Sequence, residues 1–151
     1  MKKRDIIQFL TLIPNWQQLS QDLDAIVLEN GESSYDGLYN NNGVICISAW
    51  EKEQDVLLDK GYFEDHQQLF ERLGVKWEYK KEGVFCEFTS DQIRAFQLLH
   101  ILLHELGHHY DRIKTKSKFK SSRGEQYAED FAYINEKEIW NKYQEEFNVV
   151  F

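Results

Sequence analysis

Between residues 93 and 106 the apolar side chains of Ile93, Phe96, Leu98, Leu99, Ile101, Leu102, Leu103 and Leu106 point in every direction around a helical wheel. A helix that is apolar all round belongs in the middle of a core, so the rest of the chain has to wrap this segment. Thr89, with Gln92 three residues on, is the capping-box pattern that opens such a helix. Burying a lone charge is costly, which makes the polar residues on this helix informative. They are His100, His104, Glu105, His108 and His109.

His104-Glu105-Leu106-Gly107-His108 matches H-E-x-x-H. Residues four apart lie one above the other on a helix, so two imidazoles can reach one cation. Glu105, one step beyond the first imidazole, is placed to meet a water on that cation. Zinc lowers the pKa of such a water towards neutrality and a glutamate takes its proton during attack on a carbonyl. A catalytic zinc takes three protein ligands and leaves a fourth position for water. No histidine follows His109, and the longer pattern H-E-x-x-H-x-x-G-x-x-H fails at Asp111 and Lys114, which excludes metzincin chemistry. The third ligand is therefore a carboxylate. Asp111 falls about 60° or more off the ligand face of the same helix. Glu125 and Glu129 share a face of the next helix, where Ala128 and Ala132 permit close approach. Glu125 is preferred as the metal ligand, with Glu129 orienting a ligand histidine. The competing reading makes Glu125 the far half of a capping box begun by Ser122.

The remaining chain reads as one domain over 1–151, with no linker, no repeat and a single proline. Ile6, Ile7, Phe9, Leu10 and Ile13 form a first helical stripe stopped by Pro14. Asn15 is expected to cap a second short helix bearing Trp16, Leu19 and Leu23. A strand over 25–28 follows, then a hairpin pairing 35–39 with 44–48 through an Asn-Gly turn. A helix is expected over 63–73, and a second hairpin pairs 75–80 with 84–89. The expected class is α+β: one small, twisted, antiparallel or mixed sheet made of the two hairpins, packed on the central H-E-x-x-H helix, with a second, ligand-bearing helix at the C-terminal end.

Leu102-Leu103-His104-Glu105-Leu106-Gly107-His108-His109, followed by Glu125-Gln126-Tyr127-Ala128-Glu129-Asp130-Phe131-Ala132, resembles the ImmA/IrrE-like metallopeptidases. These are compact gluzincins with the pattern H-E-L-G-H and, further on, E-x-x-A-x-x-F-A. Asp36-Gly37-Leu38-Tyr39 and Gly43-Val44-Ile45-Cys46-Ile47 are similar to the hairpin that precedes the family's active helix. Glu129 stands where the family usually has asparagine. The resemblance covers about 35–132. It implies a minimal zincin-like fold, Zn2+ on His104, His108 and Glu125, and Glu105 as general base. It also implies a cytoplasmic regulatory peptidase acting on a protein partner, often a repressor.

Peptide hydrolysis also needs a donor for the oxyanion, and Tyr133, two turns beyond Glu125, or Tyr110 is the candidate. His100, one turn before His104, reads as a fourth ligand, an orienting group or a packed imidazole, with the last two preferred; His109 reads as a surface or orienting group, and His66 as solvated. Residues 112–123 carry six basic side chains and no acid, either a solvated loop or a docking strip for an acidic protein segment. Residues 44–48 form either an internal strand or an edge that pairs with an extended substrate. Net charge is −8, from 18 Lys plus Arg and 26 Asp plus Glu, which argues against direct nucleic-acid binding. No stretch is apolar enough to cross a bilayer. Met1-Lys2-Lys3-Arg4 mimics a signal-peptide start, but Asp5, Gln8 and Thr11 break the apolar run, so a cytoplasmic helix is expected. Cys46 and Cys86 read as inert buried thiols. The expected function is a zinc-dependent peptidase acting on a protein or peptide. The alternative is a non-catalytic regulator whose zinc is structural.

Overall fold

The computed structural model describes residues 1–31, 35–40, 42–50, 54–115 and 123–151. Two short helices, α1 (Lys3–Leu10) and α2 (Trp16–Leu19), lead into β1 (Ala25–Glu29), β2 (Gly37–Asn40), β3 (Val44–Ser48) and β4 (Asp55–Leu58). Helix α3 (Lys60–Arg72), β5 (Lys76–Tyr79) and β6 (Val84–Glu87) follow. The central helix is composite, running as α4 (Ser90–Phe96), a π-helical segment (Gln97–Leu102) and α5 (Leu103–Thr115), and α6 (Gly124–Phe147) comes last. The class is α+β with small mixed and antiparallel sheets.

The strands form two three-stranded sheets, ordered β1-β3-β2 and β4-β6-β5, rather than the single sheet expected from two hairpins. Both expected hairpins form, β2 with β3 and β5 with β6. They do not join because the inner strand of each takes a partner from outside the hairpin: β1 runs parallel to β3, and β4 antiparallel to β6. The Asp55–Leu58 strand is the element that sequence patterning missed. Asn15 also departs from expectation: it begins α2 with φ 56° and makes no side-chain cap.

The central helix starts as its sequence dictates, with the Gln92 N–H donating to Thr89 Oγ1 at 3.2 Å and the Thr89 N–H to Gln92 Oε1 at 2.8 Å. Phe96, Leu98, Leu99, Leu102, Leu103 and Leu106 are completely buried, so the helix is the axis of the core. Two glycines let neighbours cross it closely. A Cβ on Gly107 would lie 2.8 Å from Ala128 Cα, which fixes the approach of α6. A Cβ on Gly37 would lie 2.6 Å from Ile101 Cγ2 and 2.8 Å from Glu105 Oε1, so β2 passes directly over the glutamate. Ala128 and Ala132 are buried at the α5–α6 contact, as their size allows. No helix among the described residues is long and apolar enough to cross a membrane.

Candidate metal centre

Spaced four positions apart on one face of α5, His104 and His108 have their Nε2 atoms 3.1 Å apart. Helix α6 brings Glu125 to the same point: its Oε2 is 3.1 Å from His104 Nε2 and 3.3 Å from His108 Nε2. The triangle fits the donor spacing of a tetrahedral ion, since metal–nitrogen bonds of 2.0–2.1 Å place donors about 3.3 Å apart. Among the described residues this is the group of three His, Cys, Asp or Glu donors close enough together to hold one cation. The imidazoles are largely buried, whereas the Glu125 side chain is 81% exposed, which leaves the carboxylate side of the centre open to solvent.

The proton inventory favours the same reading. Glu129 Oε1 lies 2.9 Å from His104 Nδ1, and an ionised carboxylate only accepts. A neutral His104 therefore carries its proton on Nδ1 and presents a lone pair from Nε2. That lone pair faces His108 Nε2 and the Glu125 carboxylate, and a cation between them would accept electron pairs from all three. Without a metal, a proton does the same job. Burial pushes His104 down, but Glu129, Glu105 and Glu125 outweigh it and its pKa is raised. Burial and the neighbouring His104 lower His108, and the contact with His104 lowers Glu129.

Glu105, the next residue after His104, lies beneath Gly37, with its Oε1 2.8 Å from where a Cβ on that glycine would stand. Burial pushes its carboxyl up to about 7, against the opposing pull of His104 and the Tyr39 backbone. A carboxylate poised near neutrality suits a general base.

The other polar residues of the helix serve different ends. His109 is fully buried, not a surface group: its Nε2–H donates to the Gln21 carbonyl at 2.9 Å, and Nδ1 sits 3.3 Å from the Tyr39 hydroxyl. Asp111 is buried and accepts from the Arg123 backbone N–H at 2.8 Å and from Arg123 Nε at 2.6 Å. It anchors the start of α6 two residues before Glu125, a role the sequence reading did not give it. His100 turns its Nε2 to His66 Nε2, 3.0 Å away, and so does not join the triangle. His66 is not a solvated residue; it packs against Phe70, Phe96 and His100.

Tyr133 lies farther along α6, half-exposed, with Lys137 Nζ 3.9 Å from its ring centre. It lines a groove of about 470 Å3 together with His100 and Glu129. Tyr110 packs on Phe131. Ser122, the rival cap for Glu125, and most of the basic strip fall outside the described residues. Cys86 is buried, and Cys46 on β3 is half-buried. Strand β3 is the middle strand of its sheet, so its edges are taken and it offers no pairing site to a substrate. Comparison with models of known families, with curated proteins and with solved structures gave no match.

Proposed function

We propose that the chain is a zinc-dependent peptidase of the gluzincin kind, ImmA/IrrE-like in its motif and zincin-like in its fold, cleaving a protein or peptide substrate in the cytoplasm. The observation that carries this is the triangle of His104 Nε2, His108 Nε2 and Glu125 Oε2, with sides of 3.1–3.3 Å. These three residues would hold the ion. Zinc there supplies Lewis-acid activation of water and of the scissile carbonyl.

The chain's own groups do the remaining work. Glu105 accepts the proton of the attacking water at its carboxylate and hands it to the leaving amine. Glu129 fixes the tautomer and orientation of His104 through Nδ1. Tyr133 is the proposed hydroxyl donor to the developing oxyanion. Asp111 holds the base of α6 so that Glu125 meets the histidines.

A structural zinc site closes with four protein ligands, whereas a catalytic one keeps a position open. His100, the candidate for a fourth ligand, is directed at His66. That orientation, together with the exposed side at Glu125, favours the peptidase over the non-catalytic regulator. Replacing a general base typically costs about 100- to 10,000-fold in rate. Glu105→Gln is therefore expected to retain zinc and lose cleavage of a peptide library by at least that factor. Undiminished cleavage by this variant removes the proposed base.

A further inference from the structure

We infer that Tyr39 of β2 is a positioning residue for Glu105, a role that rests on the reading of Glu105 as general base. The Tyr39 backbone N–H holds the carboxylate, and its side chain, anchored further along α5, holds the strand at the height that bond requires. The hydrogen bond itself is testable without any cleavage.

The register of the hairpin frees the donor. Strand β2 lies at the edge of its sheet, beside β3 alone. The Ser48 N–H donates to the Asp36 carbonyl at 2.9 Å, and further along Leu38 stands opposite Cys46 and Asn40 opposite Val44. Hydrogen-bonded and non-hydrogen-bonded pairs alternate in an antiparallel ladder. The peptide groups of Leu38 and Asn40 therefore face β3, and those of Gly37 and Tyr39 face the open edge. An N–H at such an edge takes its acceptor from water or a side chain. For Tyr39 that acceptor is the Glu105 carboxylate. The strand can come this close because residue 37 is glycine: a Cβ there would stand 2.6 Å from Ile101 Cγ2 and 2.8 Å from Glu105 Oε1.

Glu105, His109 and Arg112 follow one another at i, i+4 and i+7, so they share one face of α5. Tyr39 spans all three. The His109 Nε2–H donates to the Gln21 carbonyl at 2.9 Å, which leaves Nδ1 to accept from the Tyr39 hydroxyl at 3.3 Å. The two rings meet edge to face, with centroids 5.5 Å apart. The Arg112 guanidinium donates to the same hydroxyl, and its Cζ lies 5.7 Å from the Tyr39 ring centre. Arg112 is itself tied to the Asp22 carbonyl at 3.1 Å. One residue thus touches the base through its backbone and is pinned through its side chain one and two turns farther on.

A general base acts only from within hydrogen-bond reach of the proton it takes. A carboxylate has two oxygens, and binding one to a fixed N–H sets where the other can point.

The test is amide hydrogen exchange, read by NMR on the full chain. The Tyr39 amide is expected to be protected in the wild type and in Glu105→Gln, whose side chain still accepts. In Glu105→Ala it should exchange about tenfold faster, the scale of one lost hydrogen bond, while the Leu38 amide, bonded to β3, keeps its wild-type rate. A kinetic arm replaces residue 39 by the α-hydroxy acid of tyrosine, which keeps the ring and removes only the N–H. kcat on a peptide substrate should fall about 100-fold, the scale of a misplaced catalytic group, with KM and zinc stoichiometry unchanged. Tyr39→Phe, which releases the strand from His109 and Arg112, should lower kcat by less. A Tyr39 amide that exchanges alike in the wild type and Glu105→Ala overturns this role. So does an ester that raises KM and spares kcat, the mark of a donor that serves substrate binding instead. A wild type that cleaves nothing counts against the peptidase, and the exchange rates then decide the Tyr39–Glu105 bond by themselves.

Discussion

Helix α5 presents two buried polar pairs that differ in how they are satisfied. On one face, His104 and His108 turn nitrogen atoms to each other and to Glu125, at 3.1–3.3 Å. Elsewhere on the helix, His109 and Asp111 are matched to protein groups, the Gln21 carbonyl and the Arg123 N–H donors. The first pair converges with a carboxylate on one point, and the second is tied to separate protein groups. The difference separates the proposed binding site from a structural tie, although both pairs occupy the same helix. Polar residues there are not informative in themselves. Where their lone pairs point is.

The contrast is sharpened first by pH. Glu105 rises from 4.5 to about 7 in the metal-free fold. A carboxyl whose folded pKa is raised binds protons more tightly in the native state. The stability linked to it is present below about pH 4.5 and lost as pH climbs through 7. His100, His108 and His109, all lowered by burial, act in the opposite sense below their ordinary value of 6.5. The quantity to measure is therefore the difference between wild type and Glu105→Gln by denaturant unfolding in chelator. From pH 4.5 to 7.5 the variant should gain on the order of 3 kcal/mol relative to wild type, at 1.36 kcal/mol per pKa unit. A pH-independent difference contradicts the burial argument.

A smaller effect concerns the positioning of the ligand face. Glu129→Gln removes the carboxylate at His104 Nδ1, and loss of such a partner costs roughly 10- to 100-fold in metal affinity. Competition with a chromophoric chelator reads this out, and an affinity within twofold of wild type rejects the role of Glu129. The smallest effect belongs to the other pair. His109→Gln should lower stability by about 1 kcal/mol, the net value of a hydrogen bond, and leave zinc affinity unchanged. A loss of zinc by this variant would erase the distinction between the two pairs.

Much of this was legible before any coordinates. The capping box at Thr89, the all-round apolar helix, both hairpins and the alignment of His104 with His108 follow from spacing alone. The approach of Glu125 to the two histidines was reachable because a carboxylate was the donor left to seek on the next helix, where Ala128 and Ala132 marked the close face. What was illegible depended on distant partners. Nothing local announces that Asp55–Leu58 pairs with β6, or that β1 joins β3 in parallel, because such pairing is decided by which edges the core leaves uncovered. His66 sits among charged neighbours in sequence, and its approach to His100 comes from the packing of α3 on the central helix. The Asp111–Arg123 tie was hidden for the same reason, its halves lying twelve residues apart in the chain.

The claim beneath the account is that residues from two helices share a single ion. X-ray absorption at the zinc edge, on protein loaded with one equivalent, tests it directly. Two imidazole nitrogens and one carboxylate oxygen are expected, with one imidazole lost in His108→Ala and the carboxylate lost in Glu125→Ala. A zinc environment unchanged by both substitutions would contradict it.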